Sequence, residues 1–126
     1  MNVQDAIKVI DQCAFCRPEG TVTLEETVDF AEEVILHVRG QKIPRLLFST
    51  HKLAGIRSPL LPERYFISRR LAGVAQGRVQ MALVVQPYLI DPEKFGIQVA
   101  RNAGMNADVF DNEPEALAWL LLKAAD

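Results

Sequence analysis

The sequence has the size and composition of one globular domain. Its 126 residues are 49% hydrophobic and 24% charged, which excludes a disordered chain and is enough to form a core. No apolar stretch approaches the roughly 18 residues that a membrane span needs. The N-terminal stretch Met-Asn-Val-Gln-Asp is polar overall and carries an acid, unlike a signal peptide. We therefore predict a single domain over residues 1–126, located in the cytoplasm.

Charge is distributed unevenly, although the net charge is only −2. Residues 1–39 carry three Lys or Arg and eight Asp or Glu, residues 40–82 carry eight and one, and residues 83–126 carry three and seven. The middle segment is therefore strongly basic. We predict that it does not bind nucleic acid, because the nine aromatic residues do not alternate with the arginines in a stacking pattern.

An amphipathic helix is the clearest element of the first half of the chain. Thr23 and Glu26 have the spacing of a capping box, and Gly40 follows the expected helix end at Val38. Apolar residues recur at intervals of three and four, as on one face of a helix: Leu24, Val28, Ala31, Ile35 and Val38.

Short apolar runs before, between and after the helices predict strands. One or two strands are expected within residues 6–19, a buried strand at residues 46–48 that ends near residues 49–50, another at residues 81–85, and a last one at residues 107–110.

Three further helices follow in the sequence. The second is expected from about residue 60 to residue 76, with Ser58 as its N-cap. The third is expected to begin at an Asp91 cap with Pro92 in its first position. The last begins at Asn112 and is expected to turn three leucines toward the core, namely Leu117, Leu120 and Leu121.

Alternation of strands and helices with short connections predicts the fold class. We expect an α/β domain with a mostly parallel sheet of about five strands and helices on its faces. The opening strands are expected to pair antiparallel at one edge. An exposed edge strand would also allow a homodimer.

The candidate site is the basic loop that follows the buried strand predicted at residues 46–48, together with the start of the second helix. Ligands of open α/β sheets bind outside the carboxyl ends of the strands. Arg64 interrupts an apolar row, so its guanidinium either contacts an anion or lies beyond the sheet end with its aliphatic stem on the core. The candidate binding residues are Ser49, Thr50, His51, Arg57, Ser58, Arg64 and Tyr65.

Catalytic and metal chemistry is not indicated. Cys13 and Cys16 are spaced C-x-x-C, but extended chain would point their sulfurs to opposite faces. His51 is the only histidine near Ser58 or Thr50 in the sequence, and no acid completes a triad. Phosphate-loop, dinucleotide and zinc motifs are absent from the sequence. We predict no enzymatic activity, no cofactor and no metal.

Several strings of residues resemble a known family. Val109-Phe110 and residues 115–120 (EALAWL), with the order of strands and helices before them, resemble the SpoIIAA-like (STAS/SEC14-type) domains of bacteria. Residues 19–26 and 90–96 are similar to an uncharacterised subgroup of that family. The resemblance implies about five strands flanked by helices, and no enzymatic activity.

The resemblance also implies a candidate phosphorylation site. STAS-type antagonists carry the motif Asp-Ser-Ser-Gly-Leu at the start of the second helix, where a serine is phosphorylated. Residues 57–61 read Arg-Ser-Pro-Leu-Leu at the matching place, so only Ser58 agrees with the motif. We predict a non-catalytic regulatory or protein-interaction module that binds a protein partner through this region. The alternative is a protein that binds a small anionic metabolite or a lipid head group.

Overall fold

A computed structural model describes residues 2–124, and the side chains of residues 2–122. Helices and strands alternate along the chain, as the sequence predicts. The elements are, in order, α1 (Val3–Ala6), β1 (Ile7–Ile10), β2 (Cys13–Cys16), β3 (Gly20–Thr21), α2 (Leu24–Gly40), β4 (Arg45–Ser49), β5 (Leu53–Ala54), α3 (Leu61–Ala75), β6 (Gln80–Val84), a 3-10 helix (Pro87–Leu89), α4 (Phe95–Asn102), β7 (Ala107–Phe110) and α5 (Glu113–Ala124).

A five-stranded sheet forms the centre of the domain. Its strand order is β1-β2-β4-β6-β7, with β1 antiparallel to β2 and every other neighbouring pair parallel. Each pair of parallel neighbours is connected through a helix, as parallel pairing requires. The α/β class, the mostly parallel five-stranded sheet and the antiparallel pairing of the opening strands are therefore confirmed.

The helices cover the two faces of the sheet unequally. α2, α3 and α4 pack on one face, where the strand register places four side chains in a row, from Cys16 through Phe48 and Leu83 to Val109. In the part of the chain that is described, α5 alone packs on the other face, with Leu120 buried against Leu47 and its neighbours. The first face therefore carries most of the core.

α2 forms as its capping box predicts. The Thr23 hydroxyl accepts a hydrogen bond from the Glu26 N–H at 3.0 Å, and the Glu26 carboxylate accepts one from the Thr23 N–H at 2.9 Å. These two bonds satisfy two N–H groups that a helix start otherwise leaves unpaired. The predicted apolar face is buried, and Val34 joins it. The helix is thereby fixed with that face on the sheet.

The predicted start of α3 is wrong in one respect. Ser58 is not its N-cap, because the helix begins at Leu61 and Leu60 occupies the capping position. The Glu63 carboxylate accepts the Leu60 N–H at 2.9 Å, and no side chain at the capping position accepts an N–H of the first turn. The side chain of Leu60 is 68% exposed.

Two other helix predictions are also wrong. Asp91 and Pro92 do not begin α4, which starts at Phe95 after Lys94 in a left-handed conformation (φ 52°). On α5, Leu120 is fully buried but Leu121 is 51% exposed, so it does not point into the core as expected. No helix within residues 2–124 is long and apolar enough to span a membrane.

Candidate functional site

An apolar cavity of about 180 Å³ lies between the carboxyl ends of the strands and the helices α2, α3 and α4. Its sheet side consists of Phe48 on β4, Met81 and Leu83 on β6, Val85 just after β6, and Val109 on β7. This is the position at which open α/β sheets bind ligands.

The cavity extends from the strand ends into the domain. Met81, Leu83 and Val85 alternate along one strand and share a face. Met81 and Val85 are buried, yet Leu83 between them is only half-buried, although its strand lies inside the sheet between β4 and β7. Because the cavity admits solvent to Leu83, it is connected to the surface.

The opposite wall comes from α2 and from the loop after β5. α2 contributes Leu24, Thr27, Val28 and Ala31, which lie on the side of the helix that carries its buried apolar residues. The Thr27 hydroxyl donates to the Thr23 carbonyl at 2.8 Å, so it presents its methyl group rather than a free polar atom. This wall is therefore almost entirely apolar.

The loop that closes the cavity is anchored by hydrogen bonds to its backbone carbonyl groups. The strands β3 and β5 form a two-residue parallel ladder, and the Val22 N–H donates to Ala54 O at 2.9 Å. The Tyr88 hydroxyl donates to Ile56 O at 2.6 Å, and the Gln86 amide donates to Leu53 O at 3.0 Å. The side chain of Ile56 is thereby held in the cavity wall.

Arg64 supplies a positive charge at the partly exposed side of the cavity. Its Nη2 donates to the Ser58 hydroxyl at 3.1 Å and its Nη1 to Leu89 O at 3.5 Å, and no carboxylate of the described residues lies within 4.0 Å of its guanidinium. Arg57 and Arg70 differ, because each forms ion pairs with two carboxylates. Arg64 thus lines the cavity with a charge that no ion pair with a described carboxylate neutralises.

The remaining charges of the lining are engaged within the protein. Lys94 Nζ lies 3.0 Å from the Asp108 carboxylate, which Arg101 also contacts at 3.3 Å. The Asp91 carboxylate accepts the N–H groups of Phe95 and Glu93 at 2.9 and 3.1 Å. These two bonds, and more weakly the charge of Arg64, lower the pKa of Asp91, so it is ionised at neutral pH.

The structure places the predicted site residues in different surroundings. Thr50 and Arg64 line the cavity, whereas Ser49, His51, Arg57, Ser58 and Tyr65 do not. Thr50 donates to the Gln86 side chain at 3.0 Å. A His51 ring nitrogen lies 3.0 Å from Val85 O, and the His51 N–H donates to Ser49 at 3.3 Å. Tyr65 contacts Arg69 in a separate groove between α3 and α4.

The predicted environment of the two cysteines is confirmed. Cys13 and Cys16 lie on β2 and belong to the hydrophobic clusters of opposite sheet faces. Both are buried and free, and burial raises the pKa of Cys16 to about 12. Within residues 2–124 no group of three metal-ligating side chains comes together.

Sequence reasoning missed most of the cavity lining. Met81, Ala31 and Ile97 were assigned to a buried strand or to helices, but nothing in their local patterns indicates a space between them. Gly96 is another such residue: a Cβ there would lie 2.9 Å from Ser68 Oγ, so a glycine lets α4 approach α3 closely. The one usable signal was the interruption of an apolar helix row by Arg64. Comparisons with family models, curated proteins and solved structures gave no match.

Proposed function

We propose that the protein binds a small amphiphilic anion without catalysing a reaction. The apolar part of the ligand would occupy the cavity, and its anionic group would contact Arg64. The observation that supports this is the pairing of an apolar cavity with an arginine that has no carboxylate partner among the described residues. Ligand sites commonly combine such a lining with a few polar groups.

The apolar lining favours this ligand over a bare head group. A nucleotide or a free lipid head group would leave polar atoms against Leu24, Val28 and Phe48 without hydrogen-bond partners. An apolar body removes this cost, while hydrogen bonds to a charged group contribute about 1.5–3 kcal/mol each. Of the two functions considered from the sequence, the geometry therefore supports small-ligand binding better, in a more apolar form than the sequence indicated.

The contacts of the hydroxyl and imidazole groups support binding without catalysis. The Ser58 hydroxyl is bonded by a guanidinium, which cannot act as a base. The His51 ring is held at a backbone carbonyl. A serine nucleophile would instead need a base within hydrogen-bond reach.

The test is titration of wild type and two arginine variants with hexanoate and phenylacetate. We expect both acids to bind wild type and to raise its unfolding temperature. Arg64→Gln should weaken binding by about tenfold to a hundredfold, because it removes a charge-assisted contact. Arg69→Gln is the matched control, since Arg69 lies on the same helix but outside the cavity. Equal weakening by both variants, or no binding to wild type, would contradict the proposal.

A second candidate function is a regulatory or protein-interaction module of the STAS type. The observation that favours it is the apolar surface at the start of α3, where Leu60, Leu61 and Phe66 are 68%, 59% and 68% exposed. Apolar clusters of this kind often mark interfaces, either with a protein partner or in a homodimer. Partner capture and sedimentation of wild type, Phe66→Ser and Ser58→Asp test it. An unchanged partner set and oligomeric state in both variants would oppose it.

We also propose that the protein belongs to the SpoIIAA-like, STAS-type domains of bacteria and that it is located in the cytoplasm. The residue strings 19–26, 90–96 and 109–120 support the family, as does the five-stranded sheet with helices on both faces.

A further inference from the structure

We infer that the ligand is a monocarboxylic acid with an apolar body of about six to eight heavy atoms, and that Met81 sets its length. This inference rests on the proposed function and specifies its ligand. Three independent observations carry it: the volume of the cavity, the charges at its rim, and the depth at which Met81 closes it.

The volume limits the size of the apolar body. A closed apolar cavity of about 150 Å³ holds one benzene molecule, which has six heavy atoms. The cavity here is about 180 Å³, which by the same ratio holds about seven. Pockets for drug-sized ligands are larger, at about 300–1,000 Å³. A long acyl chain would therefore extend beyond the lining, whereas a short chain or a single aromatic ring fits within it.

The rim charges favour one negative charge rather than two. Arg64 is the cation of the lining without an ion-pair partner among the described residues, because Lys94 is bonded to Asp108. Asp91 also lines the cavity, and its negative charge opposes a second charge on the ligand. A guanidinium matches the two oxygens of a carboxylate with two parallel hydrogen bonds. A carboxylate is therefore favoured over a phosphate dianion.

Met81 lies at the inner end of the cavity. It is four residues before Val85, which directly follows the end of β6, and this places it about 13 Å from the carboxyl edge of the sheet. It is 3% exposed, and two other deeply buried lining residues, Phe48 and Ala31, belong to the same hydrophobic cluster. Its unbranched side chain therefore limits how far a ligand chain extends into the domain.

The experiment measures how chain length affects affinity. Straight-chain acids from butanoate to dodecanoate are titrated into wild type, Met81→Ala and Met105→Ala by calorimetry. For wild type we expect affinity to rise about fourfold for each added methylene, up to an optimum between heptanoate and nonanoate, and then to stop rising. Met81→Ala removes the three atoms beyond Cβ, so it should move the optimum to acids about three carbons longer.

Two further variants distinguish a change in the length of the cavity from a general effect of substitution on the fold. Met105 is also 3% exposed and belongs to the same cluster, but it does not line the cavity, so Met105→Ala should leave the optimum unchanged. Ala31→Val adds two methyl groups inside the cavity and should move the optimum to shorter acids. Circular dichroism of each variant confirms that it is folded before titration.

The outcomes separate this inference from the proposed function. An optimum that stays fixed in Met81→Ala and Ala31→Val, while Arg64→Gln still weakens every acid, overturns the role of Met81 alone. Hexanol binding as tightly as hexanoate overturns the contact between the carboxylate and Arg64, and with it the proposed function. If neither acids nor alcohols bind to wild type, the proposed function itself is overturned.

Discussion

The carboxylate of Glu63 accepts two hydrogen bonds from the guanidinium of Arg57, at 2.7 and 2.6 Å. Arg57 also donates to Glu25 in the first turn of α2 at 2.8 Å. One side chain thus connects the loop before α3 to the first turns of two helices that line the cavity. The basic loop, expected to present its charge to a partner, uses Arg57 to hold this arrangement together.

The Glu63 pair should make stability depend on pH. The Arg57 hydrogen bonds, and next the Leu60 N–H, lower the pKa of Glu63 to about 2. A carboxylate with a lowered folded-state pKa stabilises the fold above its unfolded pKa of about 4.3, and this contribution is lost as the pH falls toward 2. We expect Glu63→Gln to reduce the difference in unfolding free energy between pH 7 and pH 3, as measured by urea unfolding. A difference as large as in wild type would contradict this account.

Gly55 should be the glycine that tolerates substitution least. Its φ is +91°, and a Cβ there would lie 2.8 Å from the Val22 carbonyl oxygen, which is backbone. We expect Gly55→Ala to cost at least about 1–3 kcal/mol in the free energy of unfolding. Gly73 is the control, since a Cβ meets nothing within 4 Å there and Gly73→Ala should stabilise α3 by about 0.5–1 kcal/mol. Similar urea midpoints for the two variants would show that the loop backbone is not constrained.

Adjacent leucines on α5 should differ sharply in their effect on stability. Leu120 is fully buried against the sheet, whereas Leu121 is 51% exposed. We expect Leu120→Ala to lower the free energy of unfolding by about 2–5 kcal/mol. Leu121→Ala should change it by no more than about 0.5 kcal/mol. Denaturant unfolding measures both, and a larger loss for Leu121 would mean that α5 is rotated from the position described.

The cysteines should be inert while the protein is folded. With the pKa of Cys16 raised to about 12 by burial, only about one thiol in 10⁴ is ionised at pH 8. Burial also raises the pKa of Cys13. We expect iodoacetamide to label both residues readily in denaturing urea and very slowly without it, as followed by mass spectrometry. Rapid native labelling, or a disulfide between the two, would contradict their placement on opposite faces.

The sequence was most informative where local chemistry decides the structure. The Thr23–Glu26 capping box fixes the start of α2 without help from the rest of the chain. The apolar runs at 46–48 and 81–85 are too continuous for a surface segment and became the inner strands β4 and β6. The charge count was equally reliable, but it could not show which arginines would be paired.

The errors arose where two local signals competed. Ser58 followed by Pro59 resembles a helix start, but the Leu60 N–H bonds to the Glu63 carboxylate, which Arg57 also holds, and the helix begins at Leu61. Asp91 does bind N–H groups two and four residues on, as a cap would, but the left-handed Lys94 delays the helix. A lysine with positive φ is uncommon, so sequence patterns do not predict it.

Local sequence patterns do not predict the cavity. Leu24, Met81 and Ile97 lie on three elements far apart in sequence, and each has the ordinary pattern of a core residue. Only the distances between the packed elements leave a space among them. The sequence signal related to that space is Arg64, a charged residue that interrupts an apolar row on the second predicted helix.

An apolar cavity that reaches solvent also affects how the protein would respond to selection for stability. Larger side chains at lining positions such as Ala31 would fill the space and add contacts that the fold lacks without a ligand. A library screened only for heat resistance would therefore accumulate substitutions at these positions and lose the proposed ligand binding as it became more stable. Lining positions that keep small side chains, although larger ones would stabilise the fold, would therefore be the positions that ligand binding requires.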